Sequence, residues 1–240
     1  MRRLLAAFAV PTLLLAAAVT AGPATAGKDE KPQTHKLFNG KDLTGWEGYH
    51  DLWSVEDGEI VGKNDKPITY STYLLTKHKF RDFRLVFSSK LAKSEMHSGV
   101  SLWGKVFTMP PRPGNDKGTV TDPKAERTEY TYQGHLVMFP SGYGMYDLYR
   151  RNGLPVDGKP AQKVGKQHDW NELEILTRGD RIRVAVNGAA VIDWRDPKPE
   201  SIKEGPIGLQ LHSNNVPQEV HFKDITITTF PEEDKLLTVK

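Results

Sequence analysis

The chain of 240 residues contains no cysteine. This absence excludes disulfide bonds, metal centres built from cysteine ligands and lipid attachment at a cysteine. A fold formed by this chain therefore depends on its hydrophobic core, without covalent cross-links.

The chain also lacks a large charge of one sign. It has 33 lysine and arginine residues against 30 aspartate and glutamate residues. Two of the basic residues, Arg2 and Arg3, lie in the N-terminal segment considered below. A balance this close to neutral argues against nucleic acid, or an anionic membrane, as the main partner.

Several strong catalytic motifs are missing as well. The sequence has no Gly-x-Ser-x-Gly elbow and no His-Glu-x-x-His zinc motif. It also lacks Glu-x-Asp-x-x-Glu, the strand signature that sets two carboxylates at the short separation used by retaining glucanases. A conventional glycosidase with two catalytic carboxylates is therefore disfavoured.

The first 26 residues are typical of a secretory signal peptide. Arg2 and Arg3 precede an apolar run from Leu4 to Val19, and small residues end the segment at Ala26. The run is shorter than the ~20 residues that a spanning helix needs. We therefore expect export to the periplasm or the cell exterior, with no integral membrane segment after signal removal.

The rest of the chain is predicted to form one domain. A polar linker, expected to be disordered, covers residues 27–34, the domain covers 35–232, and 233–240 form a C-terminal tail. Apolar residues alternate with polar ones in many short segments, and the predicted strands include Leu52–Gly62, Trp170–Thr177 and Arg181–Val186. Arg178-Gly179-Asp180 and Asn187-Gly188 suit tight hairpin turns. No segment shows a helical period over three turns, so an all-β sandwich or barrel is predicted.

Two segments depart from this pattern of short strands and tight turns. Thr108–Arg127 and Asn152–Gln167 are rich in proline and glycine, and both exceed the usual connection length. They are either functional loops or solvated surface excursions.

The segment from Glu129 to His135 is an unusually polar predicted strand. Its alternation places Glu129, Thr131, Gln133 and His135 on one face. Four hydrogen-bonding side chains on one face suit a sheet that binds a polar ligand. The alternative is a solvent-exposed face, which is common in antiparallel sheets.

A second polar strand is predicted over Met145–Arg151. Asp147, Tyr149 and Arg151 share one face, and Arg150 lies on the other. Tyrosine rings stack on sugars, and arginine or aspartate bonds to hydroxyl groups. Cross-strand packing with a salt bridge is the alternative.

A third candidate pair ends a strand near residue 212. Gln210 and His212 lie on the face opposite Leu209 and Leu211. A histidine at a strand end acts as a base, as a ligand or as a hydrogen-bonded structural residue, and the last is the most frequent.

Seven motifs, in this order, carry a family resemblance. They are LFNGKDLTGW at 37–46, WSVEDGEIVG at 53–62, HSGV at 97–100, WNE at 170–172, VNG at 186–188, GPIGLQLH at 205–212 and FKDITI at 222–227. With these motifs the chain resembles the 3-keto-disaccharide hydrolase family. Many members have Asn-Ser-Gly where this chain has His97-Ser98-Gly99, and an acidic residue in the strand that here reads Tyr130-Thr131-Tyr132-Gln133.

The resemblance implies a concanavalin A-like jelly roll of two antiparallel sheets, with a ligand groove on the concave sheet. It also implies action on glycosides oxidised at C3 of the sugar. A C3 ketone acidifies the C2 proton, so a base can remove that proton, the C1 substituent can leave, and water can then add. This route needs a base, a stabiliser for the enolate oxygen and a donor for the leaving oxygen.

The candidate residues are assigned to these roles as follows. His135 and His212 are the leading bases, with Asp147 and Glu129 as reserves. Either Arg150 or Arg151 is expected to stabilise the enolate. Sugar binding is assigned to Gln133, Gln210, Trp103 and Tyr149. A divalent cation held by oxygen and histidine ligands is an open alternative for the electrophilic role, although no spacing in the sequence demonstrates a metal site.

Two other functions remain open at this level. The same groove would serve a non-catalytic carbohydrate-binding module of the cell envelope, which would bind sugar without turning it over. A structural envelope domain would show no saturable sugar binding.

Overall fold

The computed structural model describes residues 31–108, 127–140 and 142–240. In these residues the chain forms two antiparallel sheets that pack face to face, with a single short α-helix. The all-β jelly-roll sandwich of the concanavalin A-like class, predicted above, is therefore confirmed. The predicted signal peptide, and most of the loop predicted over Thr108–Arg127, lie outside the described residues.

Sheet A has eight strands. Their spatial order is β13 (Ala189–Arg195), β12 (Arg181–Val186), β11 (Asn171–Arg178), β6 (Phe83–Lys93), β15 (Gln218–Thr229), β4 (Glu59–Asn64) and β3 (Trp53–Glu56), with β1 (Gln33–Lys36) paired to β15.

Sheet B has seven strands. Their spatial order is β10 (Asn152–Gly153), β9 (Gly144–Asp147), β8 (Thr131–Pro140), β7 (His97–Phe107), β14 (Gly205–Leu211), β5 (Thr72–Phe80) and β2 (Trp46–Glu47). The helix α1 (Lys159–Val164) and a 3-10 turn (Pro199–Ser201) connect strands.

The main core lies between the two sheets. Phe87 and Phe222 from sheet A meet Phe139 from sheet B, with ring centroids 5.8 to 6.3 Å apart. All three rings are buried. Burying an aromatic side chain of this size stabilises the fold by about 1.5–3 kcal/mol, so this contact helps to hold the layers together.

A second apolar cluster covers the outer face of sheet B. It contains Tyr73, Leu75, Tyr132, Leu136 and Leu148, all of them buried. Tyr132 and Leu136 alternate along β8 with Val137 and Phe139 of the main core. Sheet B thus has apolar contacts on both faces.

The hairpin predicted around residues 173–186 is confirmed. β11 pairs with β12 from Leu173↔Val186 to Arg178↔Arg181. Gly179 in the connecting turn has φ +61°, which glycine adopts without steric cost.

Three local predictions need correction. Leu52–Gly62, expected to be one strand, forms the hairpin of β3 and β4 because Asp57 and Gly58 both have positive φ. The strand predicted over Met145–Arg151 ends at Asp147, where a turn begins. Residues 152–167, expected to be a loop, contain β10 and α1.

Both ends of the described chain are joined to sheet A. β1 includes Gln33 and Thr34, which the sequence assigned to the linker, and it pairs with β15. The C-terminal tail packs on β11, where the carboxylate of Glu174 accepts hydrogen bonds from the backbone N–H groups of Leu237 and Thr238. Across residues 31–108, 127–140 and 142–240, no helix has the length and apolar character needed to cross a membrane.

Candidate functional site

A cavity of about 740 Å³ opens beside the ends of β8 and β9. Strands β2, β5, β7 and β14 of sheet B also line it, and so does the segment that follows β13 of sheet A. The cavity therefore receives side chains from both layers of the sandwich. Its titratable lining includes His135, Asp147, Tyr149 and Asp196.

His135 and Asp147 lie opposite each other on neighbouring strands. β8 pairs with β9 so that His135 is the register partner of Asp147. Side chains of directly opposed residues point to the same face of a sheet. Both residues are buried, and this face is the inner one, because Val137 and Phe139 of the same strand belong to the main core.

His135 is held by a residue from the other sheet. Its Nε2 lies 3.1 Å from Oδ2 of Asp196, and both side chains are almost fully buried. The Nδ1 atom of His135 is buried and has no hydrogen-bond partner among the described residues. In the neutral ring, donation from Nε2 to the carboxylate leaves the lone pair on Nδ1.

The surroundings of His135 favour the neutral ring. Burial lowers the pKa of His135 below its ordinary value, although the charges of Asp196 and Asp147 act in the opposite direction. Three aromatic rings surround the imidazole: Trp194, Trp103 and Tyr149, with centroids 5.3, 6.0 and 6.3 Å from that of His135. The ring is thus held by packing as well as by Asp196.

Asp147 acts as a cap for the turn that follows β9. Its Oδ1 accepts hydrogen bonds from the backbone N–H groups of Tyr149 (2.8 Å) and Arg150 (3.1 Å). Its Oδ2 lies 2.9 Å from Nη1 of Arg150, whose side chain is 60% exposed. The hydrogen bonds stabilise the turn, and this local competition ends the strand earlier than its alternation predicts.

Tyr149 and Trp103 form the wall beside His135. The hydroxyl of Tyr149 donates to the carbonyl of Trp103 at 3.1 Å. Burial raises the pKa of Tyr149, and the charges of Asp147 and Asp196 raise it further, so the hydroxyl keeps its proton. Trp103 is fully buried, which makes it a support for His135 rather than a surface that a sugar touches.

The other leading base, His212, lies elsewhere. Ile207, Leu209 and Leu211 of β14 face the main core, so the intervening Gln210 and then His212 face outward from sheet B. The ring of His212 packs against that of His97 with centroids 4.3 Å apart. Burial lowers the pKa of His97 to about 4, and it also lowers the pKa of His212.

Four other predicted site residues are outside the cavity lining. Gln210 donates from Nε2 to the hydroxyl of Tyr73 at 3.3 Å. Glu129 lies in the turn before β8, and Gln133 is half-buried opposite Lys105 of β7. Arg151 is exposed, with φ +60°, in the turn after β9.

The structure thus brings together His135, Asp147, Tyr149 and Arg150, with Trp103 behind them, and it separates this group from the other predicted residues. The sequence interpretation missed Asp196 and Trp194. Asp196 follows the last residue of β13 and accepts a hydrogen bond from the backbone N–H of Lys198 at 2.8 Å. In sequence it therefore reads as a turn residue in Asp196-Pro197, and no local signal pairs it with His135.

The described parts of the chain contain no group of three or more histidine, aspartate or glutamate side chains arranged to hold a metal ion. The divalent cation considered from the sequence stays a prediction.

The sequence matches the model of a known protein family. The 3-keto-alpha-glucoside-1,2-lyase-like domain matches residues 33–228. The match spans nearly all of the sandwich, and it confirms the resemblance inferred from the sequence motifs. No curated protein sequence matches the chain significantly.

Solved structures with a similar fold include two proteins of Parabacteroides distasonis ATCC 8503, each named as a candidate glycosyl hydrolase. One is 21% identical with a TM-score of 0.55, covering 82% of this chain and 100% of its own. The other is 19% identical with a TM-score of 0.51, covering 82% and 94%. A structure named as a native glycosidic hydrolase is 11% identical with a TM-score of 0.50, covering 84% and 96%. At these identities the likeness shows a shared fold.

Proposed function

Because the chain belongs to the 3-keto-alpha-glucoside-1,2-lyase-like domain family, a carbohydrate-active family, we propose that it cleaves 3-keto-glycosides in the cavity beside His135. The observation that carries the proposal is a neutral, buried histidine that Asp196 orients, with an unpartnered Nδ1, at the wall of a cavity large enough for a disaccharide.

The proposed chemistry begins at C2 of the oxidised sugar. The C3 ketone acidifies the C2–H bond, so a base takes the proton and the electron pair passes to the C3 oxygen as an enolate. The enolate re-forms the ketone while the C1–O bond breaks, and the leaving oxygen takes up the proton that the base removed. This leaves a C1=C2 double bond conjugated with the ketone. Water then adds across this double bond, with hydroxyl at C1 and a proton at C2.

His135 is the proposed base. Burial lowers the pKa of His135, which keeps the imidazole neutral and able to accept a proton, and Asp196 then stabilises the imidazolium that forms. Asp147 contributes from the same face through its charge and through the position it gives to Arg150. This mechanism does not require a pair of catalytic carboxylates, which agrees with the absence of the glucanase motif.

Positive charge in the cavity is the proposed stabiliser of the enolate. Arg150 keeps donors that its contact with Asp147 does not use, and Lys105 lines the same cavity. The exposed part of Tyr149 is the proposed surface for stacking on a sugar ring. Export to the periplasm or the cell exterior is part of the proposal, because the first 26 residues are typical of a secretory signal peptide.

The test is turnover by the purified full-length protein. Aryl 3-keto-glucosides and the matching unoxidised glucosides would be supplied with and without EDTA, and release of the phenol would be followed. We expect turnover of the keto-sugars alone, and a slower rate for a substrate deuterated at C2, because that C–H bond breaks.

Three histidine variants locate the base. His135→Gln should lose turnover, while His78→Gln, at an exposed position of β5, is the matched control. Loss of turnover in His212→Gln with retention in His135→Gln would move the reaction to the outer face of sheet B. Sugar binding by calorimetry without turnover of any keto-sugar would favour a carbohydrate-binding module instead.

A further inference from the structure

The exposed residues of the cavity lining form its mouth, and they carry an excess of positive charge. Its lining includes five lysines: Lys77, Lys79, Lys105, Lys198 and Lys203. With Arg150 the lining has six basic residues against four carboxylates, which are those of Glu47, Asp147, Asp196 and Glu204. The whole chain has a formal net charge of only +3, so this concentration of lysines is a local feature.

Within the described ranges, Lys77, Lys79, Lys105 and Lys203 form no ion pair with a carboxylate. Lysines that do form such pairs, among them Lys63, Lys93, Lys166, Lys223 and Lys235, lie outside the cavity lining. Lys203 donates from Nζ to the carbonyl of Glu200 at 3.3 Å, which leaves its charge uncompensated.

The lysines come from separate elements of the fold. Lys77 and Lys79 alternate along β5, so their side chains leave the strand on the same side, and both are exposed. Lys105 is in β7, and Lys203 lies just before β14. Lysines from two strands and a connecting segment therefore line one cavity, which a solvated face of a single strand would not produce.

We propose that the cavity takes glycosides that carry an anionic group, a carboxylate, sulfate or phosphate, on the part of the molecule that lies at this mouth. The inference rests on the proposed function, since it names the substrate class of the same site. A lysine ammonium is a point charge on a flexible stem, unlike the rigid fork of arginine. Several of them attract an anion without demanding one geometry, and they raise its rate of capture.

The reacting end of the substrate and its anionic end have separate partners in this arrangement. His135 and Asp196 are buried at the inner wall, whereas Lys77 and Lys79 are exposed at the mouth. An anionic group held by the lysines would thus lie away from C2, and its charge would not oppose formation of the enolate.

The experiment compares matched substrates that differ in one substituent. Aryl 3-keto-glucosides would carry a carboxylate, a phosphate or a neutral carboxamide at the same position of the aryl ring. We expect kcat/KM to be about tenfold higher for the anionic compounds at low ionic strength. This is the size of effect that two exposed charge contacts together produce. The preference should shrink in about 0.5 M salt, because exposed charges are screened.

Two double variants assign the effect to the mouth of the cavity. Lys77→Gln with Lys79→Gln should remove most of the anionic preference while turnover of the carboxamide is kept. Lys36→Gln with Lys41→Gln removes the same charge from exposed positions outside the cavity, and it should leave the preference unchanged.

The outcomes separate the two proposals. Turnover of all three compounds with equal kcat/KM overturns the anionic inference and leaves the proposed function in place. Where no keto-sugar is turned over, calorimetry with the unoxidised carboxylate and carboxamide glucosides decides. If the carboxylate glucoside binds more tightly than the carboxamide, and the Lys77/Lys79 double variant loses this difference, the inference is supported. Equal binding of the two glucosides, or no binding of either, overturns it.

Discussion

The Nε2 atom of His135 in sheet B lies 3.1 Å from Oδ2 of Asp196, which follows the edge strand of sheet A. This contact joins the two layers of the sandwich at the wall of the cavity. In the neutral ring it places the proton on Nε2 and leaves the lone pair on Nδ1, the atom proposed as the base.

The first prediction concerns Asp196. Asp196→Asn replaces the acceptor with an amide that stabilises the imidazolium poorly and allows the wrong tautomer. We expect kcat/KM on a 3-keto-glucoside to fall by about a hundredfold or more, the range of general-base effects. Steady-state kinetics would measure the loss, and circular dichroism would show that the variant is folded.

Asp65→Asn is the matched control for that variant, because Asp65 is exposed and outside the cavity lining. Unchanged kinetics in a folded Asp196→Asn protein would contradict the role given to this carboxylate.

The second prediction concerns the pH profile. The proposed mechanism requires neutral His135, whose pKa is lowered by burial, so the acidic limb of kcat/KM should lie below the ordinary value of 6.5. The charge of Arg150 also lowers this pKa. Arg150→Gln should therefore shift the limb to higher pH, and Asp196→Asn should shift it lower in whatever activity remains.

Profiles of kcat/KM between pH 4 and 8 would show the direction of each shift. A limb that moves down in Arg150→Gln, or does not move in either variant, would rule out His135 as the titrating base.

The third prediction concerns stability and His97. Burial holds the pKa of His97 at about 4 in the folded protein, against an ordinary 6.5. The unfolded chain therefore takes up a proton here, and the folded protein does not, as the pH falls from 6.5 towards 4. Stability is lost over this window, by on the order of 3 kcal/mol.

Urea denaturation of the wild type and His97→Gln at pH 7 and pH 4 would isolate this contribution. The variant should lose less stability than the wild type on acidification. An equal loss in both proteins would show that His97 titrates normally in the fold.

The fourth prediction concerns the buried ion pair of Arg84 and Glu174. Glu174 is fully buried on β11 and also accepts hydrogen bonds from the backbone N–H groups of Leu237 and Thr238. Arg84→Met leaves this carboxylate without its cation. Breaking a buried pair from one side costs about 3–5 kcal/mol, so a large drop in the free energy of unfolding is expected.

Glu172→Gln, at an exposed position of the same strand, is the control and should change stability little. A stability of Arg84→Met close to that of the wild type would mean that the C-terminal segment alone compensates Glu174.

The sequence predicted what depends on local pattern. Alternation correctly assigned opposite faces to Tyr132 and His135, and it correctly paired Leu173 with the hairpin partner strand. Alternation wrongly extended the strand beyond Asp147. The side chain of Asp147 accepts a hydrogen bond from the backbone N–H of Tyr149, and this bond competes with strand extension. The β3 and β4 hairpin was missed because Asp57-Gly58 was read as strand.

The site itself was harder to predict, for a physical reason. Pairing of His135 with Asp196 depends on how two sheets stack, and neither residue's neighbours in sequence carry that information. The alternation that placed His135 on a polar face could not show that sheet A supplies its partner. Likewise, Gln210 and His212 were grouped with His135 because each lies on a polar strand face, but the faces are opposite ones.

Because the proposed base is held by a bond between the two sheets, the proposed activity should be sensitive to sliding of one sheet over the other. The backbone N–H of Asp196 is held by the carbonyl of Asp180 at 2.8 Å, so the carboxylate follows any movement of the β12–β13 hairpin. Hydrogen bonds within each sheet can survive a displacement that breaks a single contact between sheets. Inactivation should thus precede unfolding in urea. Turnover would be lost when the two sheets shift relative to each other, while the strands of each sheet are still intact.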